Sequence, residues 1–493
     1  MAPFIAGTRA RIKRTVKQIA TKWYQGRTPR RTDPDPALWR LARNSAGELC
    51  LDGTSLRSLL RRFGSPLHVV DAQALDTNIA DFLAPPPGQE HGCEVYYSYK
   101  TNPVPAVLRR MHDRGIGAEV ISAYELWLAL RLGVPPEKIV YNGPAKSDES
   151  LHLAIDREIC LLNLNCREEI PRVVAAARRV GKRPRIALRV VLPDGWGGQF
   201  GEPVVTGAAF RAFEEALAHP ELNVVGLHIH RGAEISERDE VVRFAGEVLA
   251  FTDSLREKLG LELEILDFGG SLACRTTRSL SARDVRMNRT FLCDLQPRRP
   301  ESVLSIRDYV ATLFDCVFAH YRQLSRKMPR IFVEPGRAMT ASTQMLLSQV
   351  MMTKAFDENL TYAILDAGIN LADSVRNEYH QIFPVGDPEA RPKKTYRLAG
   401  PICTPGDVLV NAWDLPELSP GDPIAIMDAG AYFVPFSTSF SFPQPAIVWL
   451  EQGESTLVRR AETFEDLVVL DEIEHARSDR RSPGRVPLLR GSF

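Results

Sequence analysis

The chain reads as a (β/α)8 barrel joined to a second, mostly β domain, on three observations. Eight strand-like apolar runs end near Lys100, Ser122, Pro144, Asn165, Val191, His230, Gly270 and Arg337, and stretches of helical period separate nearly every pair. Beyond about Ser342 that alternation stops, and short strands divided by Gly- and Pro-rich loops take over. At 493 residues the chain also exceeds the roughly 250 to 300 at which a single core stops growing, so more than one domain is required.

The elements follow in order. In residues 1–38, Arg9, Arg11, Lys13, Arg14, Lys17, Lys22, Arg27, Arg30 and Arg31 all precede the first acid, Asp33. Ile12, Val16, Ile19 and Trp23 fall at helical spacing. A basic amphipathic helix of this kind can lie on an anionic membrane or act as a transit peptide. The segment lacks the Ser enrichment of the latter, and we read it as packing its apolar stripe on its own domain, with residues 27–37 as a linker. Residues 39–70 carry short strand and helix signals and are expected to join the β domain. The barrel is assigned to 71–341. Its last helix shows one apolar face through Ile306, Val310, Leu313, Val317, Tyr321 and Leu324. The β domain is assigned to 342–473, with strands near 346–352, 362–366, 395–399, 407–410, 423–427 and 446–450. Residues 474–493 form a polar, basic tail expected to fray.

Bulk composition excludes more than it selects. Hydrophobic content of 44%, charged content of 25% and a formal net charge of +1 are ordinary for a globular protein and give no global pull towards nucleic acid. Eight cysteines without any C-x-x-C spacing suggest neither a zinc ribbon nor a disulfide framework. With no apolar run of 18 residues there is no expected membrane span, and a cytoplasmic protein is the expectation.

In such barrels the C-terminal strand ends build the active site. Four of the eight carry distinctive groups: Lys100, the pair His228 and His230, Gly269-Gly270, and Glu334-Pro335-Gly336-Arg337. Two histidines two apart on a strand share a face, which also suits a zinc-dependent hydrolase. No further ligand-like His or Asp stands at the last strand's end, so no metal is expected.

These ends carry a resemblance. Tyr97-Ser98-Tyr99-Lys100-Thr101-Asn102 resembles the Tyr-x-x-Lys-Ala-Asn signature of fold-type III pyridoxal phosphate enzymes, the group containing diaminopimelate, ornithine and arginine decarboxylases. Gly117 to Leu126, Asn142 to Ser147, Gly226 to Ala233, Leu266 to Ser271, Glu334 to Arg337, Cys403 to Asp407 and Gly430 to Tyr432 resemble further family segments in the same order. The resemblance implies pyridoxal 5'-phosphate as cofactor and a homodimer with shared active sites. Lys100 would hold the cofactor aldehyde and move protons, its amine partly deprotonated under the influence of burial and the neighbouring cofactor. Glu334 would keep the pyridine nitrogen protonated, and His230 would stack on the ring. Gly269, Gly270, Ser271, Gly336, Arg337 and Tyr432 would surround the phosphate. Cys403 would protonate the α-carbon after carbon dioxide leaves, acting in the neighbouring subunit's site. Thr404, Asp407, Arg376 and Tyr379 are the candidate substrate contacts.

Three departures qualify the match. Ser271 stands where the family has a third glycine, and Ala233 where it usually has a phosphate-binding serine. Thr404 replaces an acid that grips a distal ammonium, which turns the expectation away from ornithine or lysine. The Arg-rich stretch from Arg275 to Arg299 follows the seventh strand and could receive an anionic or carrier-bound substrate, with Arg275 and Arg278 foremost. The expected activity is therefore decarboxylation of an amino acid or an amino-acid derivative, weighed against a racemase of related fold and a non-catalytic regulatory relative.

Overall fold

The computed structural model describes residues 15–471 except 233, 358 and 359. Ala233, residues 1–14 of the basic segment and the basic tail therefore lie outside the described residues. Eight parallel strands form the barrel: β1 (Glu94–Ser98), β2 (Gly117–Val120), β3 (Ile139–Tyr141), β4 (Leu161–Leu164), β5 (Arg185–Val191), β6 (Asn223–Ile229), β7 (Ile265–Asp267) and β8 (Arg330–Val333). Each pairs with the next in sequence, and β8 pairs back onto β1, so the sheet closes without an edge. These strands are nearly continuous apolar runs because one face lines the barrel interior and the other meets the helices.

The second domain is a sheet ordered Val408–Pro416, Lys393–Ala399, Leu360–Leu365, Gln344–Asp357, Leu67–Asp71, Ala446–Glu451 and Glu454–Arg459. Leu67–Asp71 lies inside it, antiparallel to Gln344–Leu347 and parallel to Ala446–Leu450. All five of its residues are buried, which is what its unbroken Leu-His-Val-Val pattern requires. The chain thus enters the second sheet, runs round the barrel and returns. Two bonds fasten the sheet domain to the turn carrying Lys100: Tyr432 N–H donates to the Thr101 carbonyl at 2.9 Å, and Asn102 Nδ2 donates to Gln344 Oε1 at 2.9 Å.

The Arg-rich segment after β7 does not hang free as a loop. It forms the helix Ala282–Phe291, capped reciprocally by Ser281 and Asp284, and docks on the second domain. Buried Asn288 fixes this docking, donating to the Ala412 carbonyl at 3.1 Å and accepting from Asn411 N–H at 3.1 Å. The basic helix near the start packs on it in turn, with the Tyr24 and Phe291 rings 4.2 Å apart and Gln25 Nε2 donating to the Leu292 carbonyl. This corrects the expected orientation. Val16, Ile19 and Trp23 are 60%, 64% and 51% exposed, so the apolar stripe faces outward, and the helix is held by its aromatic and amide edge instead.

Candidate active site

Lys100 sits on the short turn Tyr99–Thr101 directly after β1, with a side chain 40% exposed at the barrel mouth. Its Nζ donates to Glu119 Oε2 at 2.9 Å. Glu119, fully buried on β2, also accepts from Ser98 Oγ at 2.5 Å and from Asn142 Nδ2 at 2.9 Å. Burial alone would lower the Lys100 amine, but the charges of Glu119, Tyr432 and Glu334 outweigh it and raise it above its ordinary value. The expectation of a partly deprotonated amine is thus corrected for the free protein: Lys100 is an ammonium ion paired with a buried carboxylate.

Glu334 follows β8 and is also buried. Asn142 Nδ2 donates to its Oε1 at 2.7 Å while bonding Glu119, so one amide bridges the two acids. His228 Nε2 lies 3.4 Å from Glu334 Oε2, and Asp267 completes a buried trio whose ligand-type atoms fall within 4.8 Å of one another. Asn163 Nδ2 bonds both Asn142 Oδ1 and Asp267 Oδ2. Burial would raise Glu334, yet His228, a bond from Asp267 and the Lys100 charge hold it well below the usual carboxylate range. Burial and the charge of Glu334 push Asp267 well above that range. The two acids therefore share a proton, with Asp267 neutral and Glu334 ionised.

His230, just past β6, accepts Gly270 N–H at Nδ1 over 3.1 Å, which puts the ring proton on Nε2. Burial, then the charges of Lys100 and Arg189, depress it to about 3, so the ring is neutral. A Cβ on Gly269 would meet His230 Nδ1 at 2.8 Å, and one on Gly336 would meet Thr101 Oγ1 at 2.4 Å, so both positions exclude any side chain. Gly269 also has φ +63°. Ser271 occupies φ +103°, a conformation suited to the glycine it replaces, and its Oγ accepts Gly232 N–H at 3.3 Å. The Arg337 guanidinium lies 5.0 Å over the Tyr432 ring and is gripped bidentately by Glu378 at 2.6 and 2.7 Å. The groups suit pyridoxal phosphate. An amine projects into open space, an ionised carboxylate stands deeper, a neutral imidazole flanks them, and backbone without side chains lies beside a cation. Thr101 Oγ1, moreover, is a buried hydroxyl without a partner.

The second-domain candidates scatter. Cys403 is exposed on the turn between Lys393–Ala399 and Val408–Pro416, and no hydrogen bond links it to the Lys100 cluster among the described residues. Thr404 lies beside it, its Oγ1 accepting Gly406 N–H at 3.4 Å. Asp407 is 4% exposed, and its two oxygens accept Ile369 N–H at 2.8 Å and Ile402 N–H at 2.9 Å, so it clamps that turn instead of facing substrate. Tyr379 is fully buried in the core of the sheet domain with its hydroxyl on Gln381, which removes it from any open site. Arg376 pairs with Asp373 at 3.0 Å and faces a separate cavity. Arg275 and Arg278 are spent within their own segment, bonding the Pro300 and Gln296 carbonyls and, for Arg278, Asp284.

Sequence reading missed Asn163 and Glu378, and passed over Glu119, Asn142 and Asp267 within segments it noted. Glu119 left a usable signal: an acid inside the apolar strand Gly-Ala-Glu-Val has to find a buried cation or donors.

A barrel whose mouth gathers a lysine, an ionised buried glutamate and an anion cradle of this kind belongs to the lysine-anchored cofactor enzymes. A family profile for the pyridoxal-dependent decarboxylase pyridoxal binding domain matches residues 88–341, and the chain belongs to that family. It is a pyridoxal phosphate-dependent amino-acid decarboxylase. Among curated relatives, diaminopimelate decarboxylase of Aquifex aeolicus is 29% identical over 436 residues, 86% of this chain and 95% of that one. The Bacillus subtilis protein of the same name is 26% identical over 447 residues, covering 87% and 96%. The crystal structure of the Methanocaldococcus jannaschii diaminopimelate decarboxylase with L-lysine superimposes with a TM-score of 0.77 at 25% identity, covering 88% of this chain and 98% of that one.

Proposed function

We propose that this enzyme removes the α-carboxylate of an amino acid whose distal end also bears a carboxylate, with diaminopimelate as the first substrate to test. The observation that carries the reading is the chain of bonds from Lys100 through Glu119 and Asn142 to Glu334, which couples the amine to the carboxylate across the barrel mouth. Pyridoxal phosphate, when bound, supplies an aldehyde for the amine and a ring that accepts the electron pair left by carboxylate loss. Lys100 would form that attachment after losing a proton, for which Glu119, already bonded to its amine at 2.9 Å, is the acceptor at hand. Glu334, held ionised, would keep the ring nitrogen protonated and so preserve the ring's capacity to accept electrons. His230, a neutral imidazole, would flank the ring. Gly269, Gly270, Ser271, Gly336, Arg337 and Tyr432 hold the phosphate, with Glu378 offsetting part of the Arg337 charge.

The substrate reading rests on relatives named for diaminopimelate, whose distal ammonium is offset by its own distal carboxylate, and on Thr404, whose neutral hydroxyl cannot offset the lone distal ammonium of lysine or ornithine. Protonation of the product carbon falls to Cys403 of a second copy, because this thiol is exposed and not bonded to its own chain's lysine cluster. A homodimer follows. The test is carbon dioxide release from meso-diaminopimelate, 2-aminopimelate, lysine and ornithine. Turnover of the two dicarboxylic compounds with little from lysine or ornithine is expected. Efficient turnover of lysine or ornithine overturns the distal-carboxylate reading, and a Lys100→Ala variant with full activity overturns the site assignment.

A further inference from the structure

A cavity of about 520 Å³ opens on the sheet domain, between the helix Ala282–Phe291 and the strand Val408–Pro416, and no residue of the Lys100 cluster lines it. Four cationic side chains do: Lys17 from the basic helix, Arg289 from the Arg-rich helix, Arg376, and Arg397 from the strand Lys393–Ala399. Among the described residues its lining holds no carboxylate. Arg376 has Asp373 at 3.0 Å, and Arg397 donates one N–H to the Tyr362 hydroxyl at 2.8 Å, but Arg397 Nε is buried without an acceptor. Lys17 and Arg289 have no hydrogen-bond or ion-pair partner among the described residues. Like charges brought to one concavity repel, and a buried guanidinium N–H without an acceptor is costly, so the arrangement lacks its counter-charge.

We propose that this cavity binds a small polyanion bearing two or more phosphate or carboxylate groups. A single carboxylate would match one guanidinium and leave the others unpaired. The volume falls within the roughly 300 to 1,000 Å³ of small-molecule sites. Three planar guanidinium groups, Arg289, Arg376 and Arg397, can bind phosphate or carboxylate oxygens in pairs, and Tyr362 and Asn411 also line the cavity. Lys17 comes from the basic segment that precedes the first acid, and Arg289 from the Arg-rich helix after β7. The inference does not depend on which amino acid is decarboxylated.

The experiment is calorimetric titration of the pyridoxal phosphate-loaded enzyme with pyrophosphate and with citrate at low salt. Prior loading occupies the phosphate cradle near Arg337 and leaves this cavity as the acceptor. One site per chain is expected for at least one of the two anions. Arg289→Ala, on an exposed helix face, and Arg397→Gln should each weaken that binding about tenfold, the loss of a charge-assisted bond, while the visible absorbance of the bound cofactor stays intact. No saturable heat from either anion, or binding unchanged in both variants, overturns the proposal.

Discussion

Glu334 keeps its charge inside a barrel because its neighbours divide the work: Asn142 donates to one oxygen, His228 stands at the other, and neutral Asp267 retains the shared proton. Glu334→Gln preserves the shape and the bond from Asn142 but cannot carry the charge. The cofactor absorbance should persist while turnover falls about 10²- to 10³-fold, the usual cost of removing one preorganised electrostatic partner. Equal turnover in the two proteins would remove the role assigned to Glu334. A second acid gives a prediction in pH. Burial, then the charge of Glu119, push Glu125 from 4.5 up to about 7. Unfolded, this acid is ionised above about 4.5, whereas folded it stays protonated until about 7, so the stability it lends below that window is lost as pH rises through it. Between those limits wild type should lose on the order of 2 kcal/mol more than Glu125→Gln, measured by denaturant unfolding. Parallel curves would place the titration elsewhere. Lys100, His230, Glu334 and Arg337 were legible in the sequence because each ends an apolar run in a compact motif. Asn163 and Asp267 were not, since their purpose arises only when barrel closure brings non-adjacent strand ends together.

The turn between Lys393–Ala399 and Val408–Pro416 shows how an element can be named correctly and its residues misassigned. Its place in the sheet domain follows from the flanking alternation, and the structure extends the expected strand at 407–410 to Val408–Pro416. Asp407 looked like a substrate contact because it shares a motif with Cys403, yet its carboxylate closes on two backbone amides and leaves no room for side chains at Gly368 and Gly400. Asp407→Ala should cost about 2–4 kcal/mol of stability, for two charged hydrogen bonds left unmade. Cofactor absorbance should survive while turnover drops, because the turn that carries Cys403 loses its clamp. Unaltered unfolding and turnover would show the clamp to be idle. The Arg-rich segment misled in the opposite direction. Its charges suggested a loop over the barrel mouth, but buried Asn288 draws the helix onto the sheet domain, and no local pattern reports the partner of a single asparagine.

At the scale of the molecule, the two domains are interleaved, since Leu67–Asp71 enters the second sheet before the barrel begins. That crossing was only partly legible: the segment 39–70 was expected to join the sheet domain, but not to place a strand at its interior. The proposed assembly belongs to the same scale. Lys100 and Glu334 stand in one barrel mouth, whereas Cys403 lies exposed on the other domain, so a complete site requires a second copy of the chain if the thiol takes part. Exposed Phe436, Phe440 and Phe442, close in sequence to Tyr432, offer apolar area for such a contact. Lys100→Ala and Cys403→Ala should each be nearly inactive alone. When the two are unfolded together and refolded in equal amounts, half the dimers are mixed, and each mixed dimer pairs one intact lysine cluster with one intact thiol. Activity should return to about one quarter of the unmodified enzyme's. If subunit exchange is verified by mass labelling and no activity returns, Cys403 either serves its own chain or has no part in the reaction, and the shared-site homodimer fails with it.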